Sequence, residues 1–144
     1  MKKAANIFKA VSLLLLMLTA TVSFAGGEAK PGQEEKPYQV IDGKIDEYTF
    51  EGWRSFRGGT CGVCHGGAGQ GGAGPSLIVS FTEKIDKEKF IETVTNGRPG
   101  TLMKPFKNNN RVIDNLDNIY AYLKARSDGV LGPENLIKFP LGKK

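Results

Sequence analysis

The feature that most constrains this chain is the stretch TCGVCHGGAG, residues 60–69. It contains both cysteines of the sequence, Cys61 and Cys64, and the only histidine, His65. Thiol and imidazole groups are the side chains that bind soft metals and attach cofactors, so five consecutive positions concentrate this chemistry in one place. Zinc binding, dithiol exchange and covalent haem attachment all use close Cys and His spacing. The rest of the sequence has to discriminate among them.

Covalent haem attachment agrees best with the three groups present. Structural zinc takes four N or S ligands, one more than Cys61, Cys64 and His65 supply. A thioredoxin-like dithiol opens a helix after a strand in a βαβ unit, and no such unit is evident here. Haem attachment needs two thiols spaced to add to two vinyl groups and an adjacent imidazole for the iron. We therefore predict one haem c, in preference to dithiol exchange or a simple disulfide.

The second axial iron ligand can also be predicted. His65 is the only histidine, so a second imidazole is excluded, and the other methionines, Met1 and Met17, lie in the N-terminal apolar segment. Met103 lies in the loop sequence TLMKPF rather than on a helix face, where methionine usually fills gaps in a core. We predict that Met103 binds the iron. A thioether ligand raises the reduction potential relative to two imidazoles.

Residues 1–25 have the composition of an export signal. Three lysines form a positive start, residues 10–20 an apolar core and residues 23–25 a small-residue cleavage site. Polar interruptions of the apolar run argue against a membrane anchor. We predict cleavage near Ala25, a periplasmic location and no stable membrane insertion afterwards. Because three of the five net positive charges lie in this segment, the remaining +2 does not support nucleic-acid binding.

The remaining chain is predicted to contain a flexible leader over residues 26–40, one folded domain over 41–128 and a C-terminal tail over 129–144. The leader is rich in Gly, Pro, Glu and Lys and has little to bury. A short extended segment with a turn at Asp42 and Gly43 precedes the first helix.

Apolar spacing predicts three helices. They lie over residues 47–59, over residues 86–97 with Asp86 as N-cap, and over residues 113–129. Nine glycines between positions 58 and 74 predict an absence of regular structure there, and residues 98–112 are predicted to form a loop. No strand pattern is strong, so the predicted fold class is all-α.

The order of helix, Cys-x-x-Cys-His, Gly-Pro-x-Leu, methionine loop and C-terminal helix resembles the class I c-type cytochromes over residues 50–126. The resemblance implies three to four helices around one covalently bound haem, and an electron carrier rather than an enzyme. It implies that the carbonyl of Pro75 accepts the second ring N–H of His65 and that Leu77 packs on the haem.

Two further features of the sequence can be compared with this family. Gly52 and Phe56 resemble the glycine and aromatic of the family's N-terminal helix, and Tyr122 resembles the aromatic that packs across it from the C-terminal helix. The family usually has proline directly after the ligating methionine, whereas Lys104 stands there in this chain. We expect Lys104 to be a competitor for the iron at high pH.

A narrower resemblance is to the cytochromes that accept electrons from PQQ-dependent methanol and alcohol dehydrogenases. It rests on YQVIDGKIDEYTFEGWRSF (38–56) and DNLDNIYAYLKARSDGVLGP (114–133), both outside the haem motif. The resemblance implies such a dehydrogenase as donor and a downstream cytochrome or oxidase as acceptor. Between Glu92 and Asp114 the chain has four basic residues and no acidic one: Arg98, Lys104, Lys107 and Arg111. We interpret these four residues as a basic rim that steers an acidic partner.

Three alternatives remain open at this stage. The chain could be a general periplasmic electron carrier, a cytochrome subunit of another dehydrogenase, with its apolar tail as the attachment, or a haem protein that binds a ligand or reacts with peroxide. Rapid CO binding to the ferrous form would indicate the last of these, and inertness to CO would indicate a carrier.

Overall fold

Six helical segments and three two-residue strands form the described part of the chain, residues 36–83, 85–133 and 136–138 of a computed structural model. These residues belong to one unit, residues 34–144. The predicted signal, and the leader up to residue 35, lie outside the described residues. In chain order the elements are β1 (Val40–Ile41), β2 (Lys44–Ile45), α1 (Glu47–Gly58), α2 (Cys61–His65), α3 (Leu77–Glu83), α4 (Lys87–Asn96), α5 (Asn110–Ile113), α6 (Leu116–Ser127) and β3 (Ile137–Lys138).

The helices α1 and α6 cross in close contact at Gly52. A Cβ atom at that position would lie 1.9 Å from the backbone carbonyl oxygen of Asn118 in α6, so only glycine permits this approach. One turn further on, the rings of Phe56 and Tyr122 pack with centroids 5.5 Å apart, and both side chains are fully buried. The predicted crossing of the two helices through these three residues is confirmed.

The helix α4 also agrees with the sequence. The carboxylate of Asp86 accepts a hydrogen bond from the amide of Lys89 at 2.8 Å, so Asp86 is the N-cap, as predicted. Phe90 and Val94 are buried, and Phe90 contacts Phe81 of α3 with ring centroids 5.4 Å apart. Gly97, with φ of 69°, ends the helix.

The helical class is confirmed, but the sequence underestimated the number of helical segments. A helix of five residues, α2, lies inside the glycine-rich stretch that was predicted to lack regular structure. The seven residues of α3 were not predicted, although the hydroxyl of Ser76 accepts the amide of Val79 at its start. The predicted loop over 98–112 ends in α5, and the last helix begins at Leu116 rather than at residue 113.

The described part of the tail packs on the domain. The turn at Asp42 and Gly43 joins β1 and β2 as an antiparallel hairpin, and β3 pairs with β2 in parallel. Leu131 is buried, and Nζ of Lys138 forms an ion pair with Glu47 at 2.7 Å. Residues 139–144 lie outside the described residues. Within the described ranges, no helix has the length and apolar character needed to cross a bilayer.

Candidate functional site

The helix α2 carries both thiols and the imidazole in little more than one turn. Cys61 and Cys64 are three positions apart, so their side chains occupy neighbouring places on one helix face. His65 is the last residue of the helix, and Gly66, with φ of 79°, turns the chain away after it. All three side chains are half-buried. The helix therefore presents these groups at the boundary between core and solvent.

The glycine-rich loop, residues 66–74, returns the chain to α2. The amide of Gly71 donates to the carbonyl of His65 at 2.7 Å, and the amide of Gly74 donates to the carbonyl of Cys64 at 2.7 Å. A Cβ atom at position 74 would lie 3.1 Å from both Nδ1 and Cε1 of His65. Glycine at this position lets the loop backbone pass beside the imidazole.

The imidazole of His65 is held by the residue after this loop. Its Nδ1 lies 2.8 Å from the carbonyl oxygen of Pro75. A carbonyl only accepts hydrogen bonds, so Nδ1 carries the proton, and a neutral ring then keeps its lone pair on Nε2. Hydrogen bonds of this kind fix the tautomer and orientation of metal-binding histidines. Leu77 is half-buried, packs on the apolar core and donates its amide to Gly69 at 2.9 Å.

The environment of Cys61 disfavours dithiol chemistry. Burial raises the pKa of the Cys61 thiol to about 11. A thiol that exchanges disulfides needs the opposite, a lowered pKa that supplies thiolate near neutral pH. Cys61 also packs against the apolar core. A sulfur in these surroundings is suited to a neutral thioether.

Met103 lies in the segment between α4 and α5, which is fixed by its own hydrogen bonds. The amide of Arg98 donates to the carbonyl of Met103 at 2.9 Å, and the amide of Met103 donates to Oγ1 of Thr101 at 3.1 Å. A Cβ atom at Gly97 would lie 2.6 Å from the carbonyl oxygen of Met103. The segment is therefore held tightly at the end of α4. The Met103 side chain is half-buried against the apolar core.

The structure brings the predicted site residues together to different degrees. Cys61, Cys64, His65 and Pro75 are direct neighbours through α2 and its return loop. Met103 belongs to another part of the chain and packs on the same apolar core as Cys61.

The four predicted rim residues do not share one environment. The side chains of Arg98, Lys104 and Lys107 are exposed, and none has an ion pair within the described ranges. The guanidinium of Arg111 instead lies over Gly58, where a Cβ would be 2.2 Å from its Nε, and donates to the carbonyl of Arg54 at 3.4 Å. Arg111 thus covers the C-terminal end of α1.

Two exposed apolar side chains near the site were missed in the sequence. Val63, between the two cysteines, is 80% exposed, and Leu102, directly before Met103, is 84% exposed. Single exposed apolar side chains are common on protein surfaces, so what distinguishes these two is their position, beside the cysteines and beside Met103. For Leu102, the signal in the sequence was an apolar residue in a predicted loop that also contains Arg98, Lys104 and Lys107.

A separate polar cluster lies at the C-terminal end of α6. The carboxylate of Asp128 accepts hydrogen bonds from Nζ of Lys36 and from the hydroxyl of Tyr38, both at 2.6 Å, and from Nζ of Lys124. Burial alone would raise the pKa of Asp128, but these three donors lower it to about 2. The cluster ties the segment before β1 to α6. A shallow cleft of about 430 Å³ beside it is lined by Lys36 and Tyr38 and by none of the groups on α2.

The donor set fits a covalently attached haem c. Two thiols on one helix face can form the two thioether bonds, and an imidazole with its proton on Nδ1 can offer Nε2 to an iron. Leu77 and Met103 are among the apolar side chains that pack on the core while remaining partly exposed, as does Cys61 itself. These groups agree with the predicted chemistry, in which Cys61 and Cys64 form thioether bonds to the haem and the sulfur of Met103 binds the iron.

The fold and the motif together define a class I c-type cytochrome. Residues 50–123 match the family model described as "Cytochrome C oxidase, cbb3-type, subunit III", and the chain belongs to this family of c-type cytochromes. Members carry covalently bound haem c, and with a single Cys-x-x-Cys-His sequence this chain is a monohaem electron carrier, not an enzyme.

Three similar proteins are c-type cytochromes. Cytochrome c-555 of Methylococcus capsulatus is 33% identical over 94 residues, which cover 65% of this chain and 75% of that protein. Cytochrome c-553I of Paracoccus denitrificans is 31% identical over 101 residues, but the match spans only 44% of its length. The crystal structure of the c-type cytochrome XoxG from Methylobacterium extorquens AM1 superposes with a TM-score of 0.61 at 25% identity, over 74% of each chain.

Proposed function

We propose that this cytochrome accepts single electrons from a PQQ-dependent alcohol dehydrogenase, most simply a methanol dehydrogenase, and passes them towards the respiratory chain. In this proposal Cys61 and Cys64 would hold the haem, and His65 and Met103 would bind its iron. The protein works in the periplasm after cleavage near Ala25. The bound haem supplies a one-electron iron couple.

The chain's own residues have three tasks in this function. The hydrogen bond from Nδ1 of His65 to Pro75 orients the imidazole, and the bonded loop around Met103 keeps its thioether at the core. If His65 and Met103 both bind the iron, a substrate would find no free position on it. The residues therefore hold and tune a redox centre and form no bond to a substrate.

One observation carries the donor assignment. The two segments that resemble the dehydrogenase-linked cytochromes, residues 38–56 and 114–133, pack against each other. Asn118 Nδ2 donates to the carbonyl of Tyr48 at 3.1 Å, a contact separate from the general family features Gly52, Phe56 and Tyr122. Asp128 at the end of the second stretch accepts the hydroxyl of Tyr38 at the start of the first. Because the resemblance covers both of these contacting segments, it supports an architecture shared with the dehydrogenase-linked cytochromes beyond the haem motif.

The partner surface is proposed to include Arg98, Lys104 and Lys107, with Leu102 as an apolar contact among them. The three cations are exposed, so they can attract an acidic partner at long range. Leu102 lies next to Met103 in the same bonded loop, so it is presented in a fixed position. Arg111 is exposed as well, but its guanidinium lies over Gly58 and donates to the carbonyl of Arg54, so the charge-reversal test is placed on the other cations.

The test is stopped-flow mixing of the purified ferric holoprotein with the PQQ-dependent alcohol dehydrogenase of its own host, following haem reduction by absorbance. We expect fast reduction that requires alcohol and slows as salt is added. Reduction by ascorbate serves as the control that the haem is redox-active.

Reduction by ascorbate without reduction by the dehydrogenase would contradict the donor assignment and leave a general periplasmic carrier or a subunit of another dehydrogenase. Rapid binding of CO to the ferrous protein would contradict ligation by Met103 and favour a ligand-binding or peroxide-reacting haem protein.

A further inference from the structure

The backbone at Gly74 lies against the edge of the His65 imidazole. The position that a Cβ atom would occupy at residue 74 is 3.1 Å from Nδ1, the atom that bonds Pro75, and 3.1 Å from Cε1. That separation is shorter than ordinary van der Waals contact between carbon atoms, which is about 3.5–4.0 Å. A methyl group at residue 74 would therefore require the ring or the backbone to shift by a few tenths of an ångström.

Neither backbone can easily move to relieve such a contact. The amide of Gly74 donates to the carbonyl of Cys64 at 2.7 Å, and its carbonyl accepts the amide of Gly72 at 2.9 Å. On the other side, His65 is the last residue of α2 and its carbonyl accepts the amide of Gly71 at 2.7 Å. The adjustable quantity is the rotation of the imidazole about its side-chain torsions.

We propose that Gly74 is a positioning residue that sets the plane of the His65 imidazole, by leaving room for the one ring orientation in which Nδ1 reaches Pro75. The proposal rests on the proposed role of His65 as an iron ligand. Glycine is needed here for its missing side chain and not for a left-handed backbone, because φ at Gly74 lies outside that region.

Two properties should change if a methyl group is added at this position. If His65 binds an iron through Nε2, a ring turned away from residue 74 would alter the magnetic anisotropy of the ferric centre. The hydrogen bond from Nδ1 to Pro75 also lengthens, so the imidazole becomes a poorer electron donor and the ferric state is less stabilised. The reduction potential should therefore rise.

The experiment compares Gly74→Ala with Gly67→Ala, both purified as holoproteins. Gly67 lies in the same loop, has no positive φ and has no atom within 4 Å of the position of a Cβ, so it is a matched glycine-to-alanine control. We expect Gly74→Ala to shift the ferric EPR g-values and to raise the reduction potential, while Gly67→Ala leaves both unchanged. A purely structural role would lower the thermal midpoint of Gly74→Ala without moving either signal, and that result would overturn the proposal.

A measurement on the unmodified protein covers the case in which Gly74→Ala does not accumulate. In the diamagnetic ferrous holoprotein, an α-proton of Gly74 should give a nuclear Overhauser effect to Hε1 of His65, because the position of a Cβ lies 3.1 Å from Cε1. Absence of this effect would overturn the proposal. Unchanged g-values in a variant that still accepts electrons from the dehydrogenase refute only the role of Gly74, whereas failed transfer from the dehydrogenase refutes only the proposed donor.

Discussion

The two proposed iron ligands, His65 and Met103, are held in position in different ways. His65 is fixed at the end of a helix and by its bond to Pro75, whereas Met103 depends on a loop without regular structure. Lys104, which replaces the proline that usually follows the ligating methionine, is exposed, while Met103 is half-buried. The thioether is therefore better placed at the core than the neighbouring amine.

Replacing Met103 tests this difference directly. We expect Met103→Ala to abolish the sulfur-to-ferric-iron absorption band at the red end of the spectrum and to allow rapid CO binding to the ferrous form, because one axial position becomes free. Absorption spectroscopy and CO titration of the holoprotein measure both effects. Lys104→Ala is the control and should keep the band. A band that persists in Met103→Ala would exclude Met103 as the ligand.

The sequence was informative about the site because the chemistry is local. Cys61, Cys64 and His65 lie within five positions, so the motif is visible in the sequence alone. The neighbouring Gly-Pro-x-Leu sequence indicated which carbonyl would bond His65. The packing of Arg111 over Gly58 could not be predicted, because it depends on the position of α5 relative to α1. The same holds for the contact of Gly74 with the imidazole, since eight residues of loop separate the two.

The crossing of α1 and α6 depends on Gly52, a position where the structure leaves no room for a side chain. At Gly52 an added methyl group would lie 1.9 Å from the carbonyl oxygen of Asn118, and both are parts of helices that cannot bend locally. The neighbouring bond from Nδ2 of Asn118 to the carbonyl of Tyr48 keeps the helices in this register. Separation of the helices would open the contact of Phe56 with Tyr122.

We expect Gly52→Ala to lower the free energy of unfolding of the holoprotein by about 3 kcal/mol, the upper range for overpacking a tight contact. Denaturant unfolding followed by circular dichroism measures the loss. Arg54→Ala, on the exposed side of the same helix, is the control and should change stability by less than about 0.5 kcal/mol. Equal stability of Gly52→Ala and the unmodified protein would show that the two helices do not cross at this distance.

The segment around Met103 is the element proposed to meet the partner. The double variant Arg98→Glu and Lys104→Glu reverses two exposed charges there, and we expect it to slow reduction by the dehydrogenase about tenfold or more at low salt and to approach the unmodified rate at high salt. Stopped-flow rates over a salt series measure this. The double variant Lys44→Glu and Lys89→Glu makes the same charge change on β2 and α4 and should have a smaller effect. Equal rates at low salt would remove the steering role.

How well an element could be predicted depended on its length and on where its partners lie in the chain. The three longest helices, α1, α4 and α6, have 10 to 12 residues and show apolar spacing, which is visible locally. The short helices α2, α3 and α5 have too few residues for a periodic pattern and are stabilised by packing instead. The strand β3 has two residues, and its partner β2 lies about 90 positions earlier, so no local signal indicates it.

At the scale of the whole molecule, the cluster at Asp128 joins the start of the described chain to the end of α6. Lys36 and Tyr38 donate to the same carboxylate as Lys124, and the pKa of Asp128 is lowered from 3.8 to about 2. A group whose pKa is lower in the folded state adds stability above its unfolded pKa and loses that contribution as pH falls through the folded value. The contribution of Asp128 to stability is therefore lost between about pH 4 and pH 2.

We expect Asp128→Asn to remove about 1 kcal/mol of stability at neutral pH, a value reduced for solvent screening, and to flatten the loss of stability between about pH 4 and pH 2. Thermal unfolding of the holoprotein across this range measures the effect. Asp117→Asn removes an exposed carboxylate on the same helix and should retain the pH dependence of the unmodified protein. An unchanged acid dependence in Asp128→Asn would show that the cluster contributes nothing in solution.

The separation of α1 and α6 along the chain also means that the fold cannot close before the last helix is available. A growing polypeptide releases residues 61–65 well before residues 116–127 exist, so the thiols first appear beside an α1 that has no helix to pack on. Isolated helices of this length are marginal in water. Until α6 is present, the face of α1 that it covers therefore stays open beside the two thiols of α2.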